Sequence, residues 1–386
     1  MPEITPSFVF EYERRMRAET ENEYIRRLAA KSTWWNKVAR TMPIGGRTER
    51  VTWLLDTATI EPIGPTGTGR IGFEDMVTQT AEYPSFRYGR GLSVQRDQLE
   101  DLDGTGLDFL GKWSSNIGNE SAYLPQRMMA QLVLNGANTD GSANAYDGVP
   151  FFADNSNPHP NNPFNTAAGN YANWLHGAAS GAYPGACPID ETNATTVDAA
   201  FTNFQKVLTY VHGLKMPNGV DPRFLTPVFV LVPPALTKRI AQVTDAKFIA
   251  QMAGTSAGGS GDVEAVHEFW GMGTPVICNE LAGSMSYTAK MPFMNLTTGA
   301  VTFLPETVSG SDTTWYVVCQ EMQTTRLGGL LLVTRKPIKV TYYTGDSGGT
   351  AMSVELDRKN EFEYHAQGRL SAQYGHPYTI FRVDGT

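Results

Sequence analysis

With 386 residues, 41% of them apolar and 18% charged, the chain can bury a sizeable core, and its 38 glycines and 23 prolines predict turns and extended loops rather than disorder. A net charge of −8 argues against wholesale nucleic-acid binding, which usually needs a basic surface. The longest apolar runs, such as Val228 to Val232, are strand-sized and too short to span a bilayer, and Met1-Pro2-Glu3-Ile4 lacks the apolar region of a signal peptide.

Ser7 to Arg40 reads as a helix, with Ser7 placed to cap it. Its apolar positions, Tyr12, Met16, Tyr24, Leu28 and Trp35, make only a narrow stripe, so the helix needs a neighbour to bury it. Val51 to Gln95 reads as a long hairpin. One arm starts at Val51-Thr-Trp-Leu-Leu, the other is Phe86 to Val94, and Ile60 to Arg70 forms a Gly/Pro/Thr tip. An isolated two-stranded hairpin is marginal in water, so this one must rest on something, most simply another chain. Thr105 to Gly136 is the longest helix, with Leu110, Trp113, Ile117, Leu124, Met128 and Leu132 on one face and Pro125 expected to kink it.

A polar loop follows from Asp147 to Thr192, then a helix from Thr196 to Val211. Pro227 to Val232 reads as a buried strand and Leu236 to Met252 as a helix. After the Gly254–Gly261 loop come strands at Thr274 to Cys278, Ala300 to Leu304, Thr314 to Cys319, Leu330 to Arg335 and Ile338 to Tyr343. Glu361 to Val383 alternates polar and aromatic residues, as further strands would.

No motif in this order specifies catalysis. Gly254-Thr255-Ser256-Ala257-Gly258 matches G-x-S-x-G, but a helix rather than a strand precedes it, so a flexible loop explains it better. Gly64 to Arg70 lacks the Gly-Lys-Ser/Thr end of a phosphate loop. His159, His176, His212, His267, His365 and His376 show no metal-ligand spacing, and no cofactor is expected. Cys187, Cys278 and Cys319 are odd in number and lack CxxC spacing, which argues against a disulfide framework and fits a reducing cytosol. The acidic pairs Glu74-Asp75 and Asp101/Asp103 read as solvated faces. Arg70, Arg87 and Arg90 lie on the hairpin. They either face solvent or meet carboxylates of a neighbouring subunit. Arg14, Arg15, Arg26 and Arg27 sit in a first stretch of fifty residues that holds ten Lys/Arg against seven Asp/Glu, as a mixed-charge surface helix or a basic arm would.

One junction stands apart. The long helix ends at Leu134-Asn135-Gly136, then come Tyr146-Asp147-Gly148, Phe151-Phe152 and His159-Pro160. Leu231-Val232-Pro233-Pro234-Ala235-Leu236, Trp315-Tyr316 and Tyr374-Gly375-His376-Pro377-Tyr378 follow in order. In these segments the chain resembles the Mu-type bacteriophage major head subunit family, and the order of parts is similar to the Hong Kong 97-type α+β capsid fold. The resemblance implies an N-terminal arm (1–50), an E-loop (51–95), a P-domain spine helix (96–146), an extended loop or insertion (147–193), an A-domain (194–340) and return strands of the P-domain (341–386). It implies a structural major capsid protein of a tailed double-stranded-DNA phage, not an enzyme, that self-assembles into hexamers and pentamers. The implied location is the virion, after assembly in the host bacterial cytoplasm, with no membrane. Implied partners are many copies of itself, portal, scaffold or decoration proteins, and packaged DNA held non-specifically. The N-terminal helix would lie across an adjacent subunit or along the shell's inner face. The inter-subunit contacts expected are Arg14, Arg15, Arg26, Arg27, Arg70, Arg87 and Arg90. Asn161 to Cys187 looks longer than the family loop, as an added surface or inter-capsomer element would. The alternatives are an encapsulin-like nanocompartment shell and, more remotely, a hydrolase using Ser256.

Overall fold

The computed structural model describes residues 6–29, 33–54, 78–95, 105–139, 143–161, 169–219, 221–244, 248–250, 264–266, 273–287, 292–295, 298–303, 308–321, 328–342 and 361–385. Its main elements are α1 (Pro6–Leu28), α2 (Trp35–Val38), β1 (Arg40–Pro43), β2 (Thr48–Leu54), β3 (Thr78–Pro84), β4 (Phe86–Gln95) and α3 (Thr105–Asn135). There follow β5 (Trp174–Leu175), α4 (Val197–His212), β6 (Leu225–Val232), α5 (Thr237–Thr244), β7 (Thr274–Ile277), β8 (Trp315–Glu321), β9 (Leu330–Tyr342), β10 (Glu361–Tyr374) and β11 (Ile380–Val383).

The long helix is the one the periodicity predicts. Leu110, Ile117, Met128 and Leu132 are buried, and Trp113 and Leu124 pack against the same cores from partly buried positions. The helix runs unbroken through Pro125. α1 lies along α3 of its own chain rather than reaching away from it. Thr20 Oγ1 donates to Ser114 O at 3.1 Å, and a Cβ on Gly118 would stand 2.6 Å from Thr20 O, so only glycine permits this approach. α1 stops at Leu28, short of the predicted Arg40. Thr33 Oγ1 and Asn36 Nδ2 donate to the carbonyls of Arg27 and Leu28 (2.6 and 3.3 Å), satisfying acceptors that another helical turn would have used.

A four-stranded sheet, in the order β1-β9-β10-β4, lies against α1 and α3. Met16, Leu110 and Ile117 meet Val94, Val340, Tyr364 and Ala366 of that sheet in one buried cluster. Here the hairpin expectation needs correction. β2 pairs with β3, from Thr48↔Pro84 to Leu54↔Thr78, whereas Phe86–Gln95 leaves the hairpin and pairs along β10. Ser85 N–H donates to Arg47 O at 2.9 Å and closes the hairpin base, and the apolar residues Leu92 and Val94 then follow the core. The tip, with Gly64 to Arg70, lies outside the described residues.

A five-stranded sheet, β7-β6-β8-β11-β5, forms the second unit. It is covered on both faces, and the residue alternation shows how. In β8, Trp315, Val317 and Cys319 enter one core with Phe204, Val207, Ile240 and Val243 of α4 and α5. Tyr316 and Val318 enter the other core with Met129, Leu132 and Phe152 at the end of α3. Every position of this strand run is apolar because each face has its own core.

Other expectations are revised. The helix predicted to Met252 ends at Thr244; Phe248–Ala250 instead pairs with Glu264–Val266, consistent with the strand preference of Phe248 and Ile249. Leu330 to Arg335 and Ile338 to Tyr343 are one strand with two irregularities, not two strands. The described part of Asn161 to Cys187 is no surface addition. Trp174–Leu175 pairs in parallel with Arg382–Val383, and Tyr171, Leu175, Tyr183 and Cys187 are buried in the second core. Ser256 and its glycine-rich surroundings lie outside the described residues.

Candidate functional site

The junction after α3 gathers the chain's distant parts. Its turn is set locally: Gly148, at φ 84°, lets Ala145 N–H reach Val149 O (2.8 Å), and Asp147 Oδ1 accepts from Val149 N–H (3.1 Å). Asp147 Oδ2 then pairs with His159 Nδ1 at 2.6 Å, and His159 Nε2 donates to Phe151 O at 3.2 Å. Phe151 stacks on Tyr374 with centroids 4.5 Å apart, and Phe152 contacts Tyr316 at 5.7 Å. Tyr374 donates to Leu132 O (2.8 Å), tying β10 to the end of α3. Asn173 Nδ2 donates to Phe151 O and Pro377 O at 2.7 and 2.8 Å, while its Oδ1 accepts from Ala153 N–H at 2.8 Å.

Beside it sits a buried ionic cluster. Arg223 Nη2 donates to Asn161 Oδ1 at 2.6 Å, Nη1 stands 3.7 Å from Glu321, and the guanidinium lies 3.7 Å from the centre of the Tyr378 ring. Tyr378 donates to Glu321 Oε2 at 3.0 Å. Burial raises the hydroxyl pKa of Tyr146, Tyr171 and Tyr378, and burial, aided by Arg223, pushes His376 down to about 3.

This arrangement packs rather than reacts. A histidine held by a carboxylate could serve as a base, but His159 is fully buried and both ring nitrogens are engaged, so no nitrogen is left for a substrate. The three thiols are free and buried, and burial raises their pKa values, Cys187 to about 11, which holds them as unreactive thiols. Among the described residues no cluster of three or more His, Cys, Asp or Glu could hold a metal. No helix of the described residues is long and apolar enough to cross a membrane.

The arginines singled out on sequence are dispersed. Arg14 and Arg15 are exposed on α1. Arg26 and Arg27 pair with Glu23 at 2.6 and 3.2 Å, and Arg27 also contacts Asn119 of α3. Arg70 lies outside the described residues. Arg87 and Arg90 belong to β4 of the four-stranded sheet, where strand alternation sends them to opposite faces. Arg87 instead joins Lys336, Lys339 and Arg369 around a groove of about 480 Å³. Strand parity alone would place Arg369 on the face of Gln367. The lysines depend on irregularities in β9 that no sequence pattern announces. Arg223 and Glu321 were likewise missed, being far apart in the chain.

Residues 14–184 match the family model of the Mu-like prophage major head subunit gpT. No curated protein matches the chain. Among solved structures it is similar to the capsid of bacteriophage JBD30, with 12% identity over 92% of this chain and 66% of that chain, at a TM-score of 0.41. It thus spans just under two thirds of that chain's length. It is also similar to the mature capsid of bacteriophage PhiM1 (11% identity, 91% and 86% covered, TM-score 0.48). A third similarity is to the holo-SrpI encapsulin complex from Synechococcus elongatus PCC 7942 (9% identity, 94% and 89% covered, TM-score 0.40).

Proposed function

We propose that this chain, whose residues 14–184 match the family model of the Mu-like prophage major head subunit gpT, is a structural shell subunit of the Hong Kong 97 type. Many copies assemble, as hexamers and pentamers, into the head of a tailed double-stranded-DNA phage. The observation that carries the reading is the unbroken family match across α1, the hairpin, α3 and the junction. The physical character of the junction supports it, because Phe151, Phe152, Asp147 and His159 are all used up in packing and turn chemistry. Each contact between copies can be weak, since closed symmetry makes many of them act together. Portal, scaffold or decoration proteins and packaged DNA are its further partners, and the host cytoplasm is where it assembles.

The test is expression of the chain, alone and together with a candidate scaffold protein, followed by sedimentation and electron microscopy. Capsomers or closed shells are expected. A chain that stays a monodisperse monomer under every assembly condition overturns the reading. Particles containing protein cargo and no nucleic acid would point to a nanocompartment instead.

A further inference from the structure

Two histidines are buried around the junction, and their polar neighbours differ in kind. At His376, burial and the Arg223 charge hold the imidazole neutral, with its pKa pushed down to about 3. His159, wholly buried, faces two acceptors instead. Its Nδ1 stands 2.6 Å from Asp147 Oδ2, and its Nε2 stands 3.2 Å from Phe151 O. A backbone carbonyl can only accept, so Nε2 must carry a hydrogen. A neutral imidazole has a single N–H, which would leave Nδ1 bare. A bare Nδ1 against a carboxylate oxygen sets two lone pairs against each other, so the short contact needs a second proton.

The second proton belongs on the ring. Asp147 Oδ1 already accepts from Val149 N–H at 3.1 Å, which favours the ionised carboxylate. Tyr171 stacks on the imidazole with centroids 5.3 Å apart, and Tyr146, Tyr378, Arg223 and Glu321 lie around that tyrosine and Asp147. Burial raises the three hydroxyl pKa values, so these tyrosines stay neutral. The Arg223 charge is met by Glu321 at 3.7 Å. Asp147 is thus the carboxylate that matches the ring.

We propose that Asp147 and His159 form a buried carboxylate–imidazolium pair, and that its second proton fastens the junction after α3. The pair joins three pieces of chain. Asp147 belongs to the Gly148 turn, Phe151 O also receives Asn173 Nδ2 at 2.7 Å, and His159–Pro160 pairs antiparallel with Asn170–Tyr171. When the proton leaves for bulk water, one ring contact fails whichever nitrogen gives it up. Loss from Nδ1 turns its lone pair toward Asp147, and loss from Nε2 turns it toward Phe151 O. The pair therefore supports the fold while the proton is bound and stops doing so once a higher pH removes it. This latch is a property of the folded subunit, whether or not copies assemble.

The test is nitrogen-15 magic-angle-spinning NMR of the full chain labelled at its histidine rings, sedimented as subunits or as particles. At about pH 8, above the ordinary imidazole value of about 6.5, one imidazole should show both nitrogens protonated. Asp147→Asn should abolish that signal. If the variant does not fold, proximity to a tyrosine ring assigns the wild-type signal to His159, since His176 stacks on Trp174. As a further rise in pH removes the signal, amide exchange at Val149 and Ala153, corrected for its intrinsic pH dependence, should quicken about tenfold or more, as loss of a charge-assisted hydrogen bond requires. An unprotonated nitrogen on wild-type His159 overturns the inference, as does a doubly protonated signal that survives Asp147→Asn. Exchange that stays unchanged after the signal has gone overturns the latch. Failure to form particles strikes the shell reading and leaves this measurement intact.

Discussion

The two sheets of this molecule differ in how far their faces are covered. The five-stranded sheet is covered on both faces, and β8 reads Trp315, Tyr316, Val317, Val318, Cys319 without a polar break. The four-stranded sheet is covered by α1 and α3 on one face and only in part on the other: Leu331 and Val333 are buried with Ile44, Ala81 and Tyr83, whereas Lys336, Lys339, Arg369 and Arg87 line a groove. The first sheet is therefore an interior, closed by its own chain. The second leaves a cationic stretch beside its covered end, with no carboxylate partner for it among the described residues.

This contrast predicts large stability effects at the first sheet and small ones at the second. The largest loss should come from Glu321→Leu at the end of β8. It leaves the Arg223 guanidinium buried without its carboxylate and should cost about 3–5 kcal/mol in chemical denaturation of the subunit. Phe151→Ala, at the seam between the sheets, should cost about 3–5 kcal/mol as well, by removing the ring stacked on Tyr374.

His376 lies in the same seam, between β10 and β11, and gives the contrast a pH dependence. Its folded-state pKa, about 3, lies below the ordinary value of about 6.5. The unfolded chain therefore binds the proton more readily between those values. The stability His376 contributes is present above about pH 6.5 and is lost as the pH falls toward 3. Denaturation midpoints of His376→Gln should depend less steeply on pH in that window than those of the wild type.

The second sheet should respond more gently. Gly368→Ala brings a Cβ against the backbone of Ile338, at 2.9 Å from its nitrogen and 3.0 Å from its Cα, and should cost about 1–3 kcal/mol by thermal melting. The smallest stability change belongs to Arg369→Gln. Removing the cation that register places between Lys336 and Arg87 should leave stability within about 0.5 kcal/mol of wild type, or raise it slightly. A loss comparable to that of Glu321→Leu would break the comparison, for it would mean these cations already hold the monomer together.

Much of the fold was legible in the residues. The 3.6 periodicity of Leu110 to Leu132 located α3 and its buried face. Thr196 marked the start of α4, and its side chain does accept from Ala199 N–H, at 3.1 Å. Phe151-Phe152 and the Tyr146-Asp147-Gly148 turn flagged the junction, because turn and aromatic residues carry their geometry with them. The arginines were legible only as charge. Which of them meet, and on which face, was not.

Local chemistry thus located, from sequence alone, the long helix with its buried face, the start of α4, the buried strand at Pro227 to Val232 and the turn at the junction. Only the tertiary structure decided that Phe86–Gln95 leaves its hairpin for β10, that Arg223 finds Glu321, and that Lys336 and Lys339 share a face with Arg369 and Arg87. The physical reason is the same each time. Periodicity and capping act within a turn or two of chain, whereas strand partners, bulges and buried ion pairs are chosen among residues far apart in sequence, by which pairing covers the core.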